Sequence, residues 1–361
     1  MPVAWGVIGA CGIADRRTIP EGLLPSPDCD LAGVMDLDPA ATAALAARYG
    51  VPHAVTRVED LLDLPGLQAV YVASPVHLHL EHVRAAAGRG KHVLCEKPVG
   101  RTADEAEQAA RACAEAGVLL GVGYMMRFHP LHRELEAMVR RGDLGQVTFG
   151  RAQATCWYPE IPGAWRQDPA LGGGGALPDM GSHCIDLLER FLGPVVEVRA
   201  HVDTLTFRYA VDDTATLLLK HSSGAHGVVD VRFNTPDDAA RNALEIYGTR
   251  GSVIAHHTIG QGGGEMTAYL PEARGYDAAQ SREGPAGFPV QAEPVNMYRA
   301  EVEDFSRAVL TGAAPAAPRA ILRETLGVAR RAATAQEAIH IHRVMAAAVR
   351  SSRGGAAEAV I

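Results

Sequence analysis

The sequence has 361 residues, 47% of them hydrophobic and 21% charged, which excludes a disordered chain and provides enough length for two domains. The formal net charge of −8, without any run of lysine or arginine, argues against a nucleic-acid partner. No apolar stretch is long enough to span a membrane, and residues 1–6 lack the basic start of a signal peptide. Six scattered cysteines with no CxxC pair favour reduced thiols, so we expect a cytoplasmic protein.

The chain begins with a short apolar strand over residues 3–9, which runs into a glycine-rich turn. The turn reads Gly9-Ala10-Cys11-Gly12-Ile13-Ala14, a wider spacing than G-x-G-x-x-G. In dinucleotide-binding domains such glycines allow a tight turn and a close approach of the backbone to the pyrophosphate. The next helix directs its first N–H groups at the phosphates. We therefore predict cofactor contacts at Gly9, Cys11, Gly12 and Ile13, although a purely structural turn fits the same pattern.

A second strand, over residues 30–36, ends in Asp36, which lies 27 positions after Gly9. The standard fingerprint places its acid after about 20 positions, and the proline-containing segment 20–27 explains the difference. An acid at this place accepts hydrogen bonds from ribose hydroxyls and repels a 2′-phosphate, which favours NAD over NADP. Asp36 could instead cap the helix predicted over 39–49, but Asp38, directly before Pro39, fits that role better.

Strands continue to alternate with helices up to about residue 123. Strands are predicted over 69–73, 92–97 and 118–122, and helices over 79–89 and 102–116, the second with Thr102 and Glu105 as a capping box. This alternation predicts an α/β fold with a doubly wound parallel sheet, so residues 1–123 form a Rossmann domain. Ligands bind at the carboxyl ends of such strands, which makes Lys97 a candidate site residue, although a solvated loop lysine fits the segment equally well.

Four consecutive glycines, residues 172–175, precede a second candidate site. Glycine backbone can approach a ligand closely or act as a hinge. Asp179 and His183 follow, four positions apart at the start of a helix predicted over 182–191, so they share one face. An imidazole is the usual group for proton transfer near neutral pH. A structural role, with Asp179 as the N-cap and His183 as a buried polar residue, fits the spacing as well.

The remainder of the chain predicts an α+β domain over residues 124–350, with a large, mostly antiparallel open sheet. Its predicted strands cover 146–156, 194–209, 212–220, 225–235, 243–249 and 252–257. Its predicted helices cover 130–141, 297–311 and 319–349, with loops at 260–264 and 277–289 and a frayed tail at 351–361. A broad exposed sheet face usually meets a partner, so we expect a homodimer or homotetramer through this sheet.

Several of these motifs together resemble the Gfo/Idh/MocA oxidoreductases, the glucose–fructose oxidoreductase and inositol dehydrogenase family. They are the glycine turn, Ser74-Pro75 with His79, Gly90-Lys91-His92-Val93, Glu96-Lys97-Pro98, and residues 173–183, which match G-G-G-x-L-x-D-x-G-x-H at every defined position. The resemblance extends over essentially the whole chain, and Glu96-Lys97-Pro98 is its most specific part. It also implies a cis peptide bond between Lys97 and Pro98.

The resemblance implies an NAD-dependent enzyme that transfers a hydride between nicotinamide and a secondary alcohol or ketone of a sugar, cyclitol or related polyol. In this scheme His183 exchanges the hydroxyl proton, Lys97 hydrogen-bonds the substrate oxygen, and Asp179 orients them. Residue chemistry alone allows Lys97 and His183 to exchange roles. Further cofactor contacts are expected from Ser74, Pro75, His79, Glu96 and Lys97. No His/Cys cluster has the spacing of metal ligands, so we expect no metal.

Five residues are candidates for the sugar pocket, because guanidinium groups and aromatic rings suit the binding of polyols. They are Tyr124, Arg127, Tyr158, Trp165 and Arg166, each of which also fits interdomain packing.

Two other functions stay open. One is an NAD-dependent glycosidase that acts by transient oxidation and elimination. The other is a non-catalytic dinucleotide-binding regulator, which the presence of Lys97, Asp179 and His183 disfavours.

Overall fold

The computed structural model describes residues 1–260, 262–271, 286–312 and 332–360. The chain divides into two compact units, each built from several segments. The first contains Met1–Phe128, Ala164–Gly173 and Asn296–His342, and the second contains His129–Gly163, Gly174–Val295 and Arg343–Ile361. Segments that are distant in the sequence therefore fold together within each unit.

The first unit contains a seven-stranded sheet of the described residues, in the order β15-β6-β5-β4-β1-β2-β3. Its strands are β1 (Val3–Ile8), β2 (Cys29–Met35), β3 (His53–Val55), β4 (Ala69–Val72), β5 (His92–Glu96), β6 (Leu120–Gly123) and β15 (Ala333–Thr334). All neighbouring strands pair in parallel except β15, which is antiparallel to β6. The predicted doubly wound parallel sheet is confirmed.

Local sequence signals account for the helix boundaries in the first unit. Its longer helices are Ala10–Leu23, Pro39–Tyr49, Val58–Leu62, His79–Gly88, Ala103–Glu115 and Met297–Leu310, and its short ones are Val76–Leu78, Met125–Phe128, Trp165–Gln167 and Pro169–Gly172. Asp38 accepts hydrogen bonds from the N–H groups of Ala40 and Ala41, which confirms it as the N-cap. Thr102 likewise accepts from the Glu105 N–H at 3.2 Å.

Helix Met297–Leu310 packs on the parallel sheet although almost the whole chain separates it from β1. The Trp5 side chain, fully buried, lies 5.5 Å from the Phe305 ring, and its Nε1 donates to Ser306 Oγ at 3.1 Å. Large aromatic groups contribute strongly to a core when their polar edge also finds a partner. This contact explains why residues 296–342 fold with the first unit, whereas the sequence division at residue 123 assigns them to the second.

The second unit contains a nine-stranded sheet of the described residues, in the order β14-β13-β12-β11-β7-β10-β9-β8-β16. Its strands are β7 (Val147–Thr155), β8 (Val195–Asp203), β9 (Thr214–His221), β10 (His226–Arg232), β11 (Ala243–Gly248), β12 (Gly251–His256), β13 (Glu265–Tyr269), β14 (Phe288–Pro289) and β16 (Glu358–Ala359). Only β7 and β10 pair in parallel. Along β9 buried and exposed residues alternate, so one face of the sheet is packed and the other is open.

The described helices of this unit are Pro130–Arg141, the turn Leu177–Gly181 that continues into Ser182–Leu192, the short Asp237–Ala239, and Ala335–Gly354, which begins in the first unit. Helix Ser182–Leu192 packs against β7 and β10. A side chain at Gly150 of β7 would lie 3.0 Å from Leu188, so the helix approaches the strand closely. Within the described ranges, no helix combines the length and apolarity needed to cross a membrane.

The predicted frayed tail is wrong for residues 351–360. Helix Ala335–Gly354 includes Ser351 and Ser352, whose hydroxyls accept from the N–H groups of Ala200 at 3.1 Å and Val202 at 2.8 Å, and β16 then pairs with β8. Hydroxyls that satisfy strand N–H groups fix the tail in place. The predicted helix over 319–349 lies within the described residues only from residue 332, and residues 261 and 277–285 of the predicted loops lie outside them.

Candidate active site

The glycine turn after β1 is shaped by two glycines with different surroundings. Gly9 has φ +79°, and a Cβ at this position would lie 2.5 Å from the Ser74 nitrogen, so only glycine fits. A Cβ at Gly12 would meet no atom within 4 Å. The protein's own packing therefore does not require glycine at position 12. The space beside Gly12 suits a ligand that approaches the backbone closely, as a dinucleotide pyrophosphate does.

Asp36 connects the end of β2 to this turn. Its Oδ2 accepts from the Cys11 N–H at 2.8 Å, and its Oδ1 accepts from the Leu37 N–H at 2.7 Å. Each carboxylate oxygen can accept a second hydrogen bond, so both remain able to accept from a ribose hydroxyl. Burial and the Asp36 charge raise the pKa of the Cys11 thiol, which keeps that group neutral. The glycine turn and Asp36 thus fit a dinucleotide.

His79 joins the loops that follow β4 and β5. Its Nε2 lies 2.7 Å from the Ser74 carbonyl oxygen and its Nδ1 lies 2.9 Å from the Pro98 carbonyl oxygen, and only 2% of the residue is exposed. Burial lowers the pKa of His79 to about 4, against the opposing effect of the two carbonyls. Ser74 Oγ in turn lies 2.9 Å from His82 Nδ1. A neutral imidazole has one N–H, so His79 donates to one of these carbonyls while its ring lies between both candidate loops.

Lys97 follows directly after β5, and the Lys97–Pro98 peptide bond is cis, as the family resemblance implies. The Lys97 N–H donates to Glu96 Oε2 at 3.1 Å, and Tyr71 Oη donates to Glu96 Oε1. Burial raises the pKa of the Glu96 carboxyl, while the Tyr71 hydroxyl and the charges of Lys97 and Arg166 lower it. The structure therefore brings Arg166 into the electrostatic environment of Glu96, a link that the sequence pattern did not predict.

Asp212 determines the path of the glycine run in the second unit. Its Oδ1 accepts from the Gly175 N–H and its Oδ2 from the Leu177 N–H, both at 2.7 Å, and its carbonyl oxygen accepts from the Ala176 N–H at 3.0 Å. A Cβ at Gly175 would lie 1.8 Å from the Asp212 carbonyl oxygen, so this glycine is required. The sequence pattern places Asp212 only at the start of the strand predicted over 212–220, and no local signal relates it to a helix start 35 residues earlier.

Asp179 and His183 lie on the helical segment that Asp212 caps. The Asp179 N–H donates to the Gly175 carbonyl oxygen at 3.2 Å, so Asp179 lies inside the first turn rather than at the N-cap position. His183 begins the second turn of the segment and is 7% exposed. Burial raises the pKa of the Cys156 thiol to about 12, and the Asp179 charge adds to this shift, which places the Asp179 carboxylate near Cys156.

The five candidates for the sugar pocket separate by burial. Tyr124 is fully buried, and Arg127 is 4% exposed with its Nη1 3.0 Å from Glu337 Oε2. Tyr158, Trp165 and Arg166 are partly exposed, and the Arg166 guanidinium lies 4.3 Å from the centre of the Trp165 ring. In the part of the chain that the structure describes, no three His, Cys, Asp or Glu residues form a group suited to a metal ion.

Two parts of the chain match the models of known protein families. Residues 3–124 match the model of the oxidoreductase family with an NAD-binding Rossmann fold, and residues 132–254 match the GFO/IDH/MocA C-terminal domain. D-xylose 1-dehydrogenase (NADP(+)) 2 of Haloferax volcanii is 32% identical over 87% of this chain and 91% of its own. The 1,5-anhydro-D-fructose reductase of Ensifer adhaerens is 29% identical over 92% of this chain and 97% of its own.

One solved structure resembles this protein over nearly the full length of both chains. The aldose-aldose oxidoreductase of Caulobacter crescentus, crystallised with glycerol, superposes with a TM-score of 0.85 at 25% identity, covering 99% of this chain and 100% of that one. The similarity therefore includes both sheets. The protein belongs to the GFO/IDH/MocA oxidoreductase family and contains that family's NAD-binding Rossmann domain over residues 3–124.

Proposed function

We propose that this oxidoreductase transfers a hydride between a nicotinamide cofactor and a secondary alcohol or ketone of a sugar, cyclitol or related polyol. The observation that carries the proposal is the helical segment capped by Asp212, which presents Asp179 and His183, in a chain that also has Lys97 at the end of β5. The named activities of two relatives, a D-xylose dehydrogenase and an anhydrofructose reductase, support a sugar as the substrate.

Three side chains carry the chemistry in this proposal. The bound nicotinamide accepts or supplies the hydride. His183 takes the substrate hydroxyl proton during oxidation and returns it during reduction. Lys97 donates a hydrogen bond to the substrate oxygen and stabilises the negative charge that develops there. Asp179, one helical turn before His183, orients the imidazole or the hydroxyl.

The cofactor contacts follow from the first unit. The glycine turn, Gly9 to Ile13, takes the pyrophosphate, and Asp36 takes the adenosine ribose hydroxyls, which favours NAD. Ser74, Pro75 and Glu96, with the loops on either side of His79, line the nicotinamide end. Among the sugar-pocket candidates we assign Tyr158, Trp165 and Arg166 to the substrate, because their side chains are partly exposed, and Tyr124 and Arg127 to packing.

The test is an NAD(H)-coupled screen of polyols, inositols, keto-sugars and anhydro-sugars, followed by two variants with the best substrate. His183→Asn and Lys97→Met are each expected to lower kcat by about 10²–10⁴. The first removes the group that exchanges the hydroxyl proton, and the second removes the group that stabilises negative charge on the substrate oxygen. NAD binding, followed by NADH fluorescence, is expected to stay within about twofold of the wild type. His201→Asn, which changes an exposed histidine of β8, is the matched control.

Wild-type turnover in both His183→Asn and Lys97→Met would contradict the assignment of these residues. We also infer a reducing compartment, the cytoplasm, because no disulfide bond joins any of the six cysteines, three of which are buried. The open face of the second sheet, where Leu218 is 56% exposed, supports assembly into a homodimer or homotetramer.

A further inference from the structure

A chain of hydrogen bonds in the first unit connects the helix after the glycine turn to Lys97. Thr18 Oγ1 donates to Tyr71 Oη at 3.0 Å, and Tyr71 Oη donates to Glu96 Oε1. The Lys97 N–H donates to Glu96 Oε2 at 3.1 Å. Thr18 and Tyr71 are fully buried, and Glu96 is half-buried. Neither Thr18 nor Tyr71 belongs to the motifs that carry the family resemblance.

The direction of this chain depends on the ionisation of Glu96. A phenol has one proton to donate, and an ionised carboxylate can only accept. With Thr18 donating to the phenol oxygen, the Tyr71 proton is directed at Glu96. A protonated Glu96 would have to donate to the Tyr71 oxygen, and the Tyr71 proton would then have to turn toward Thr18, which reverses the direction of both hydrogen bonds. The observed donors therefore match an ionised Glu96.

Burial and the neighbouring groups shift the pKa of Glu96 in opposite directions. Burial raises the pKa of Glu96 above its usual value, and the Tyr71 hydroxyl and the charges of Lys97 and Arg166 offset only part of this rise. Burial and the charges of Glu96 and Glu301 raise the pKa of Tyr71 far above its usual range, so the phenol stays a donor. The other titratable groups that face this cluster are Cys95 and Tyr298.

We propose that Tyr71 is a positioning residue for the hydride transfer, because its hydroxyl keeps Glu96 ionised and oriented against the Lys97 main chain. The inference rests on the proposed function, in which Lys97 contacts the substrate oxygen. An ionised Glu96 attracts the Lys97 ammonium and also fixes the Lys97 backbone through its N–H. Loss of the carboxylate charge removes both effects. Thr18 supports Tyr71 by orienting the phenol proton.

Tyr71→Phe tests this inference with two readouts. In protein labelled with ¹³C-glutamate, the Glu96 carboxyl resonance, assigned by its loss in Glu96→Gln, reports the Glu96 titration directly. Its midpoint is expected to rise by about one unit, because a hydrogen bond to a charged group is removed from the ionised form. The acid limb of the kcat profile is expected to rise by a similar amount, with most turnover recovered at high pH. A merely structural role would lower kcat equally at every pH.

Two further variants complete the test. Thr18→Val removes the hydroxyl that donates to Tyr71 but leaves Tyr71 in place. It is expected to raise the midpoint of the Glu96 titration by less than Tyr71→Phe does. It also keeps the inference testable if Tyr71→Phe does not fold. Tyr49→Phe is the matched control, since the half-buried Tyr49 donates its hydroxyl hydrogen bond to Asp15 Oδ1 at 3.0 Å, outside this chain. It is expected to leave the midpoint unchanged.

An unmoved Glu96 midpoint in Tyr71→Phe, or in Thr18→Val if only that variant folds, would overturn the inference. So would a uniform loss of kcat without a shift of the acid limb. These results differ from a failure of the proposed function itself, which would appear as wild-type turnover in Lys97→Met. If Lys97→Met is inactive and the midpoint in Tyr71→Phe is unmoved, only the role of Tyr71 is rejected.

Discussion

A single carboxylate, Asp36, carries the proposed preference for NAD. It accepts from the Cys11 and Leu37 N–H groups, at 2.8 Å and 2.7 Å. Asp36→Asn keeps the shape and one acceptor but removes the charge that repels a 2′-phosphate. We expect the ratio of kcat/KM for NAD to that for NADP to fall by roughly ten- to a hundredfold, about 1.4–2.7 kcal/mol.

The measurement is steady-state kinetics with both coenzymes and one sugar substrate. Asp38→Asn is the matched control, because Asp38 is two positions away but caps helix Pro39–Tyr49 through Ala40 and Ala41. That variant should keep both the stability and the coenzyme ratio, since asparagine caps a helix about as well as aspartate. If Asp36→Asn kept the wild-type ratio, the preference for NAD would have to come from another residue. The NADP(+) in the name of the Haloferax volcanii relative makes this comparison informative.

At the scale of the element, the capped helical segment that begins at Leu177 provides a second prediction. Asp212→Asn leaves one oxygen for either the Gly175 or the Leu177 N–H and places an amide against the other. We expect a loss of about 1–3 kcal/mol in the free energy of unfolding. We also expect a lower kcat with an unchanged KM for NAD, since Asp212 acts on the segment that carries Asp179 and His183 and not on the glycine turn.

Denaturant unfolding and steady-state kinetics check this prediction together. Asp38→Ala is the control here, because it removes an aspartate cap from helix Pro39–Tyr49 in the other unit at a cost of about 1 kcal/mol. The two variants should lose comparable stability, but only Asp212→Asn should lose turnover. Equal turnover in both would show that the cap at Gly175 and Leu177 stabilises the fold without orienting the candidate site.

Elements with local signals could be predicted from the sequence, and those with distant partners could not. Helix Pro130–Arg141 begins at a proline and ends before Gly142 at φ +78°, and its predicted bounds match. The cap by Asp212 and the pairing of β16 with β8 depend on residues far apart in the chain. The packing of Phe305 on Trp5 is a similar case. Periodicity and capping rules describe neighbours in sequence, so such contacts leave no local pattern.

The candidate site shows the same division. The glycine turn, Lys97, Asp179 and His183 were identified from motifs, because a motif preserves spacing along the chain. The hydrogen bonds of Glu96 to Tyr71 and of Asp36 to Cys11 join residues 25 positions apart, and the sequence contained no sign of them. The motifs therefore indicate candidates for the reacting groups, whereas the structure is needed to show the hydrogen bonds around those candidates.

At the scale of the whole molecule, the open face of the nine-stranded sheet is the feature to test. On β9, Leu217 and Leu219 are buried, while Leu218 between them is 56% exposed, and Val196 of β8 is 40% exposed. Exposed apolar side chains on a flat sheet favour association with a second copy. A stable interface of this kind buries about 800 Å² on each partner.

Leu218→Glu is the variant that separates assembly from folding. Leu218 lies opposite Arg199 of β8 in the antiparallel ladder, so a glutamate there gains a cross-strand partner of opposite charge and the single chain stays folded. In an interface with a second copy the same carboxylate would be desolvated, which disfavours association. We expect light scattering to give a dimer or tetramer mass for the wild type and a monomer mass for Leu218→Glu, with unchanged circular dichroism. Leu205→Glu, at a 70% exposed residue outside the strands, should keep the wild-type mass. A monomeric wild type, or an assembled Leu218→Glu, would exclude this face as the interface.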